Sequence, residues 1–225
     1  MSGERASTAA ALTAAAIPIS KLGPARHARL SEPERELYFW ILRRFATRGR
    51  PTSAETRAAA ERLGLEADPA IATLAREDLV HRGRDGEISV AYPFSGRPTA
   101  HCVRLPGGNE VDAMCAIDAL GIAPMFGQPI EIVSRDPLTG DEIAAQMDPE
   151  GRVRWSPESA VVVAGAMAAD GDSCQGCCPV LNFFVSHASA KRWLGEHPQM
   201  RGTVISMQEA AAAGRAVFGD VLAQS

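Results

Sequence analysis

Apolar positions first fall into a regular period at Ser31. Leu37, Phe39, Trp40, Ile41, Leu42 and Phe45 share one broad face of a 3.6-residue repeat that runs out near Gly49. Ser31 is placed to cap that helix, with Pro33 in its first turn and Glu34 at the capping-box position. The stretch "TSAETRAAAERLGL" predicts a second helix, capped by Ser53 and stopped by Gly64. A third follows in "PAIATLAREDLVHRG", capped by Asp68, with Ile71, Leu74 and Leu79 facing inward. Then "HRGRDGEISVAYPFS" alternates on either side of Asp85-Gly86, the signature of a β-hairpin. Three short helices and a hairpin make a winged-helix-like pattern.

Beyond "SGRP", which reads as a linker, the period changes. "AHCVRL" predicts a short strand. "NEVDAMCAIDAL" predicts a helix with Asn109 as cap and Gly121 as stop. Strands are expected in "QPIEIVSRD", "EIAAQMD", "GRVRW", "SAVVVAGAM", "PVLNFFVS" and "GTVISM". Helices are expected in "SAKRWLGEHP" and "QEAAAAGRAVFGDVLA". Strands in the middle with helices at the ends predict an α+β fold built on a mixed or antiparallel sheet. The expected division is a loose segment over 1–29, a three-helix winged-helix-like domain over 30–95 and a larger domain over 96–225.

Composition narrows the function classes. The chain has 225 residues, 46% apolar and 22% charged, enough for a real core and too ordinary for bulk disorder. Residues 1–100 carry 15 Lys and Arg against 12 Asp and Glu; residues 101–225 carry 8 against 15. The front is therefore only weakly basic, and its third helix offers Arg76 beside acidic Glu77 and Asp78. No nucleic acid is expected as a partner, and the helical unit is expected to cover the second domain instead. No apolar run approaches the ~18 residues of a membrane span, so no membrane partner is expected. "TAAALTAAAIPIS" has a thin likeness to a signal-peptide core, but Glu4 and Arg5 precede it, alanine supplies its apolarity and no clear cleavage site follows. The expectation is a cytoplasmic protein.

Five cysteines in such a chain point to metal or catalytic chemistry rather than disulfides. Cys115 and Asp118, three apart, share a helical face, and a helix N-terminus there favours a thiolate. Some 60 residues later "SCQGCCPVLNFF" holds Cys174, Cys177 and Cys178. A structural zinc site would need four ligands, with His187, Cys102 or Cys115 completing the set. Thiols joined to one carboxylate also form a site for a soft, thiophilic metal. In that setting the carboxylate suits proton delivery better than ligation.

"MCAIDAL" together with "CCPVLNFFVS" resembles the organomercurial (alkylmercury) lyases, over about residues 30–222. The resemblance implies protonolysis of a carbon–mercury bond, giving a hydrocarbon and Hg(II). It matches Cys115 to the first catalytic thiol and Asp118 to the carboxylate. Counting back from Phe183-Phe184 places the second thiol at Cys178; a one-residue shift in register would make it Cys177. Cys174 is an extra thiol, and Cys115, Cys178, Cys177, Cys174 and Asp118 are the candidate contacts to substrate or product mercury. No cofactor is implied. Cellular thiols would be co-reactants, and Hg(II) would pass on to a mercuric reductase. The alternative is a thiol-based metal sensor or metal-binding protein, a winged-helix regulator without lyase activity.

Overall fold

The computed structural model describes residues 29–167, 177–219 and 221–222. Helix α1 (Glu32–Arg48) begins at Ser31, whose N–H and Oγ–H both donate to Glu34. It buries Leu37, Phe39, Ile41, Leu42 and Phe45 as predicted and Tyr38 in addition, while Trp40 is only half-buried. Helices α2 (Ser53–Arg62) and α3 (Ala67–Arg76) follow; their caps are Thr52 and Glu66, each one or two residues ahead of the expected ones. Strands β1 (Val80–Arg82) and β2 (Ile88–Ala91) form the hairpin around Asp85-Gly86, where Gly86 takes a φ of 78°.

The sheet continues through the expected linker. Strand β3 (Phe94–Ser95) pairs with β2 on one side and with β5 (Glu110–Ala113) on the other. Strands β4 (His101–Arg104), β6 (Ile130–Arg135), β7 (Glu142–Met147) and β8 (Val153–Ser156) extend it to eight strands in the order β1-β2-β3-β5-β4-β6-β7-β8. A second sheet has the order β10-β9-β11, from β9 (Val161–Met167), β10 (Asn182–Phe184) and β11 (Met200–Ser206). All neighbouring strands in both sheets are antiparallel. With helices α4 (Ala116–Phe126), α5 (His187–Glu196) and α6 (Met207–Phe218) packed on them, this is the expected α+β architecture. No helix among the described residues is long and apolar enough to cross a membrane.

One segment differs from its sequence expectation. Residues 110–113 form a strand, not the first turn of a helix, and Asn109 is not a cap. Gly107 and Gly108, at φ 91° and 88°, close a β4–β5 hairpin in which Leu105 N–H bonds the Asn109 carbonyl at 2.8 Å. Val111 and Ala113 then alternate inward as a strand requires. The helix starts only at Ala116, with Cys115 as its N-cap. Gly121 does not stop it. A side chain there would strike the Phe218 ring of α6, and one at Gly214 would come within 2.9 Å of the Gly121 nitrogen and the Ile117 oxygen. The two glycines let the α4 and α6 backbones touch. The helix ends six residues later, at Gly127, in the left-handed conformation that glycine adopts without steric cost.

Helix α4 is buried on nearly every side, from Ala116 through Met125. Its far end reaches the helical front through aromatic contacts: Phe126 lies 6.0 Å from Phe94, which stacks on Phe45 of α1 at 5.8 Å. One apolar core runs from Leu30 to Val221 through these rings.

Candidate active site

The site is built where α4 begins. Cys115 is extended (φ −159°, ψ 177°), so its Sγ swings back over the helix end and accepts the Asp118 N–H at 3.4 Å. Asp118 sits at the third helical position, and its Oδ2 accepts the Cys115 thiol proton at 2.9 Å. Sequence spacing predicted that shared face; the cap geometry explains how close the two groups come.

The second segment arrives as a tight turn. Val180 and Leu181 both donate to the Cys177 carbonyl, at 2.9 and 3.2 Å, and the Asn182 side chain bonds the Pro179 carbonyl at 2.9 Å. Ala116 N–H bonds the Leu181 carbonyl at 2.9 Å, which ties the turn to the first residue of α4. Held there, Cys178 directs its Sγ toward the same Asp118 Oδ2, at 3.8 Å. One carboxylate oxygen thus faces two thiols. The ligand atoms of Cys115, Asp118 and Cys178 lie within 4.8 Å of one another, the only such metal-competent group among the described residues.

Solvent is almost excluded. Cys115, Asp118 and Cys178 are 1%, 5% and 6% exposed. Burial, reinforced by the neighbouring carboxylate, pushes the Cys115 thiol up to about 12, despite the opposing bonds from Cys178 and the Asp118 amide. That direction runs against the thiolate expected at this helix end, with desolvation the largest cause. Cys178 is raised well above the ordinary thiol value, first by its hydrogen bond with Cys115 and then by burial, against a lowering bond from Cys177. The resting centre holds two protonated thiols.

Of the other sequence candidates, Cys177 is half-buried beside the triad and not part of it. Cys102 lies in β4 and His187 at the exposed start of α5; neither joins the cluster, so no four-ligand zinc set forms among the described residues. Cys174 falls outside the described residues. Sequence reasoning missed His101. It is buried in β4, bonds Ser134 at 2.9 Å, and meets Phe183 edge-on at 5.7 Å, with its pKa lowered to about 4, chiefly by burial. A neutral imidazole thus braces the strand that follows the thiol turn. Its only sequence signal was a histidine at an inward-facing strand position.

Two buried thiols and one carboxylate, carried by an antiparallel α+β scaffold, form a group whose donors suit a soft thiophilic metal. The alkylmercury lyase family model, MerB, matches residues 94–219, and the chain belongs to that family. An alkylmercury lyase from Staphylococcus epidermidis is 27% identical over 150 residues, 67% of this chain and 66% of that protein. One from Bacillus cereus is 30% identical over 118 residues, 52% of this chain and 53% of that protein. Both matches span less than two thirds of the relative's own length. A third, from Streptomyces lividans, is 26% identical over 78% of this chain and 80% of its own. The mercury-bound form of MerB2 superposes with a TM-score of 0.72 at 22% identity, covering 89% of this chain and 96% of that one, a likeness of fold.

Proposed function

We propose that this chain is an organomercurial lyase that cleaves the carbon–mercury bond of alkyl- and aryl-mercury compounds by protonolysis. The observation that carries the reading is the convergence of the buried Cys115 and Cys178 thiols on one Asp118 oxygen. Cys178 rather than Cys177 takes the second-thiol role, because its sulfur belongs to the triad and that of Cys177 does not.

The stoichiometry suits the resting protonation state. A substrate R–Hg–X, bound by two thiols, gives R–H, H–X and mercury on two sulfurs. Two protons are consumed, and the site stores two on its thiols. Cys115 displaces X from mercury, because sulfur and mercury are both soft. Its proton moves to Asp118, 2.9 Å away. Attack by Cys178 then raises electron density on mercury and weakens the Hg–C bond. Asp118 delivers a proton to the leaving carbon, a general-acid contribution of roughly 10²- to 10⁴-fold. No resident cofactor enters this scheme. Cellular thiols would strip Hg(II) from the enzyme, and a mercuric reductase would be its onward recipient.

The helical front, residues 30–95, is proposed as a winged-helix-like cover over the catalytic part, residues 96–225. The Phe45–Phe94–Phe126 contacts support this, since they seat α1 against the far end of α4. A cytoplasmic setting, where thiols stay reduced, fits the chemistry.

The test is product analysis. Purified protein given phenylmercuric acetate and excess thiol should release benzene, measured by gas chromatography, and a folded Cys115→Ser variant should release none. Mercury retained on wild-type protein without benzene would make the chain a metal-binding protein instead.

A further inference from the structure

We propose that Cys177 is the exit thiol, which takes Hg(II) from the buried pair and presents it to thiols in solution. The proposal rests on the lyase reading above. After cleavage, mercury would sit on Cys115 and Cys178, which are 1% and 6% exposed. Exchange of mercury between sulfurs is associative, like thiol–disulfide exchange: the incoming sulfur must reach the reacting atom, and access governs the rate. Among the described residues both sulfurs are enclosed, which restricts the approach of a solution thiol to a metal held on them. Two surface clefts, of about 760 and 670 Å³, are lined by residues such as Arg104, Met147 and Arg152, and Arg82, Arg97 and Met114; neither lining includes a triad side chain.

Cys177 bridges that gap. It is half-buried, so one side of the residue reaches solvent, while its neighbour in the chain is the enclosed Cys178. It is not an isolated thiol, since its side chain hydrogen-bonds that of Cys178. Nor is it a ligand in the resting triad. Its backbone is pinned: its carbonyl accepts both Val180 and Leu181 N–H, and Leu181 in turn holds the start of α4. Transfer between adjacent cysteines on such a turn needs side-chain rotation, not rearrangement of the chain.

The step balances. The Cys177 sulfur bonds mercury and gives up its proton, while the mercury–Cys115 bond breaks and the Cys115 sulfur takes up a proton, with Asp118 as carrier. Mercury is then shared by Cys178 and Cys177. Two solution thiols, R′SH, displace both sulfurs in turn, leaving as Hg(SR′)₂ and returning one proton to each cysteine. Nothing is oxidised or reduced.

The experiment compares wild type with Cys177→Ser and Cys177→Ala. Each protein is loaded directly with one equivalent of mercuric chloride, and Hg(II) release to millimolar glutathione is followed with a chromogenic chelator. Single-turnover benzene formation from phenylmercury is measured in parallel. Both variants should form benzene in one turnover within about twofold of wild type but release Hg(II) at least ~10-fold more slowly, because the half-buried thiol next to Cys178 is gone. Steady-state benzene should then become a burst of one per enzyme. Release within about twofold of wild type would overturn the exit role. So would loss of single-turnover benzene, which would make Cys177 a cleavage thiol. Absence of benzene from wild type would defeat the lyase reading, while the mercury-release comparison would still judge the exit role.

Discussion

Helices α4 and α6 lie against each other and begin alike. At α6, Ser206 Oγ–H donates to Glu209 at 2.7 Å and accepts the Glu209 N–H at 3.2 Å. At α4, Cys115 Sγ–H donates to Asp118 at 2.9 Å and accepts the Asp118 N–H at 3.4 Å. Thr52 and Glu55 repeat the arrangement on α2. A hydroxyl cap three residues before a carboxylate is an ordinary helix start. The α4 instance differs in three respects: its cap atom is soft sulfur, it is buried, and a second thiol faces its carboxylate. The backbone differs as well: Cys115 is fully extended at φ −159°, whereas Ser206 and Thr52 sit at −68° and −76° and close a capping box through their own N–H.

The comparison breaks most severely at the carboxylate. Asp118→Asn keeps the size and the cap but removes the group that carries the proton. Cleavage should slow by at least about 10²-fold, while phenylmercury still attaches to cysteine, visible as an intact adduct by mass spectrometry. Wild-type turnover would leave Asp118 as a mere cap and the thiols to act alone.

Next in size is the contact that packs the middles of the two helices together. Glycine to alanine inside a helix ordinarily stabilises it by up to about 1 kcal/mol. At Gly214 the sign should invert, because the added carbon meets backbone atoms of α4 at 2.9 Å. Gly214→Ala should cost about 1–3 kcal/mol in chemical denaturation. A more stable variant would show that the helices do not touch there.

Ser206→Ala removes the same cap bond where no chemistry depends on it. It should cost about 1 kcal/mol and leave single-turnover cleavage unaltered. A matching loss of activity would show that the α6 cap is not merely structural.

The two kinds of cap should also fail at opposite ends of the pH scale. Glu55, bonded first by the Thr52 N–H and then by Arg44, is lowered from the ordinary 4.5 to about 2, and Glu209 is lowered by its bonds to Ser206. A lowered carboxyl stabilises the fold above its unfolded value, and that stability is lost as pH falls from about 4.5 towards 2. Cys115 has the reverse sign: raised from 9.0 to about 12, it makes the folded state hold a proton that the unfolded chain releases. Stability should therefore fall as pH climbs through that window. Melting temperatures from pH 3 to 11 should show both shoulders, and Cys115→Ser should flatten only the alkaline one. An alkaline shoulder that survives in that variant would assign it to another group.

Most of the fold was legible because its elements announce themselves locally. The apolar face of α1, the Asp85-Gly86 turn and the alternation in β6 and β7 each follow from neighbours a few residues apart. The start of α4 was not, because Glu110–Ala113 carries a pattern that suits helix or strand. Pairing with β3 and β4, distant in sequence or across the Gly107-Gly108 turn, decided it. Gly121 was misleading for a related reason. A glycine that ends a helix and one that admits a neighbouring helix look identical until Gly214, 93 positions on, is placed against it.

By itself the sequence determined that Cys115 and Asp118 lie on the same side of the chain, since a three-residue spacing spans a single helical turn. Its motif also narrowed the distant thiol to Cys177 or Cys178. Only the tertiary structure shows which of those neighbours faces Asp118, because the direction of each sulfur depends on the turn closed at the Cys177 carbonyl and on the bond from Ala116 N–H to the Leu181 carbonyl. Tertiary packing also decided the resting protonation. The same Cys-x-x-Asp on an exposed helix would carry no such desolvation cost. Enclosed by the core, it loses the water that would solvate the charge, and both thiols are raised above their ordinary value.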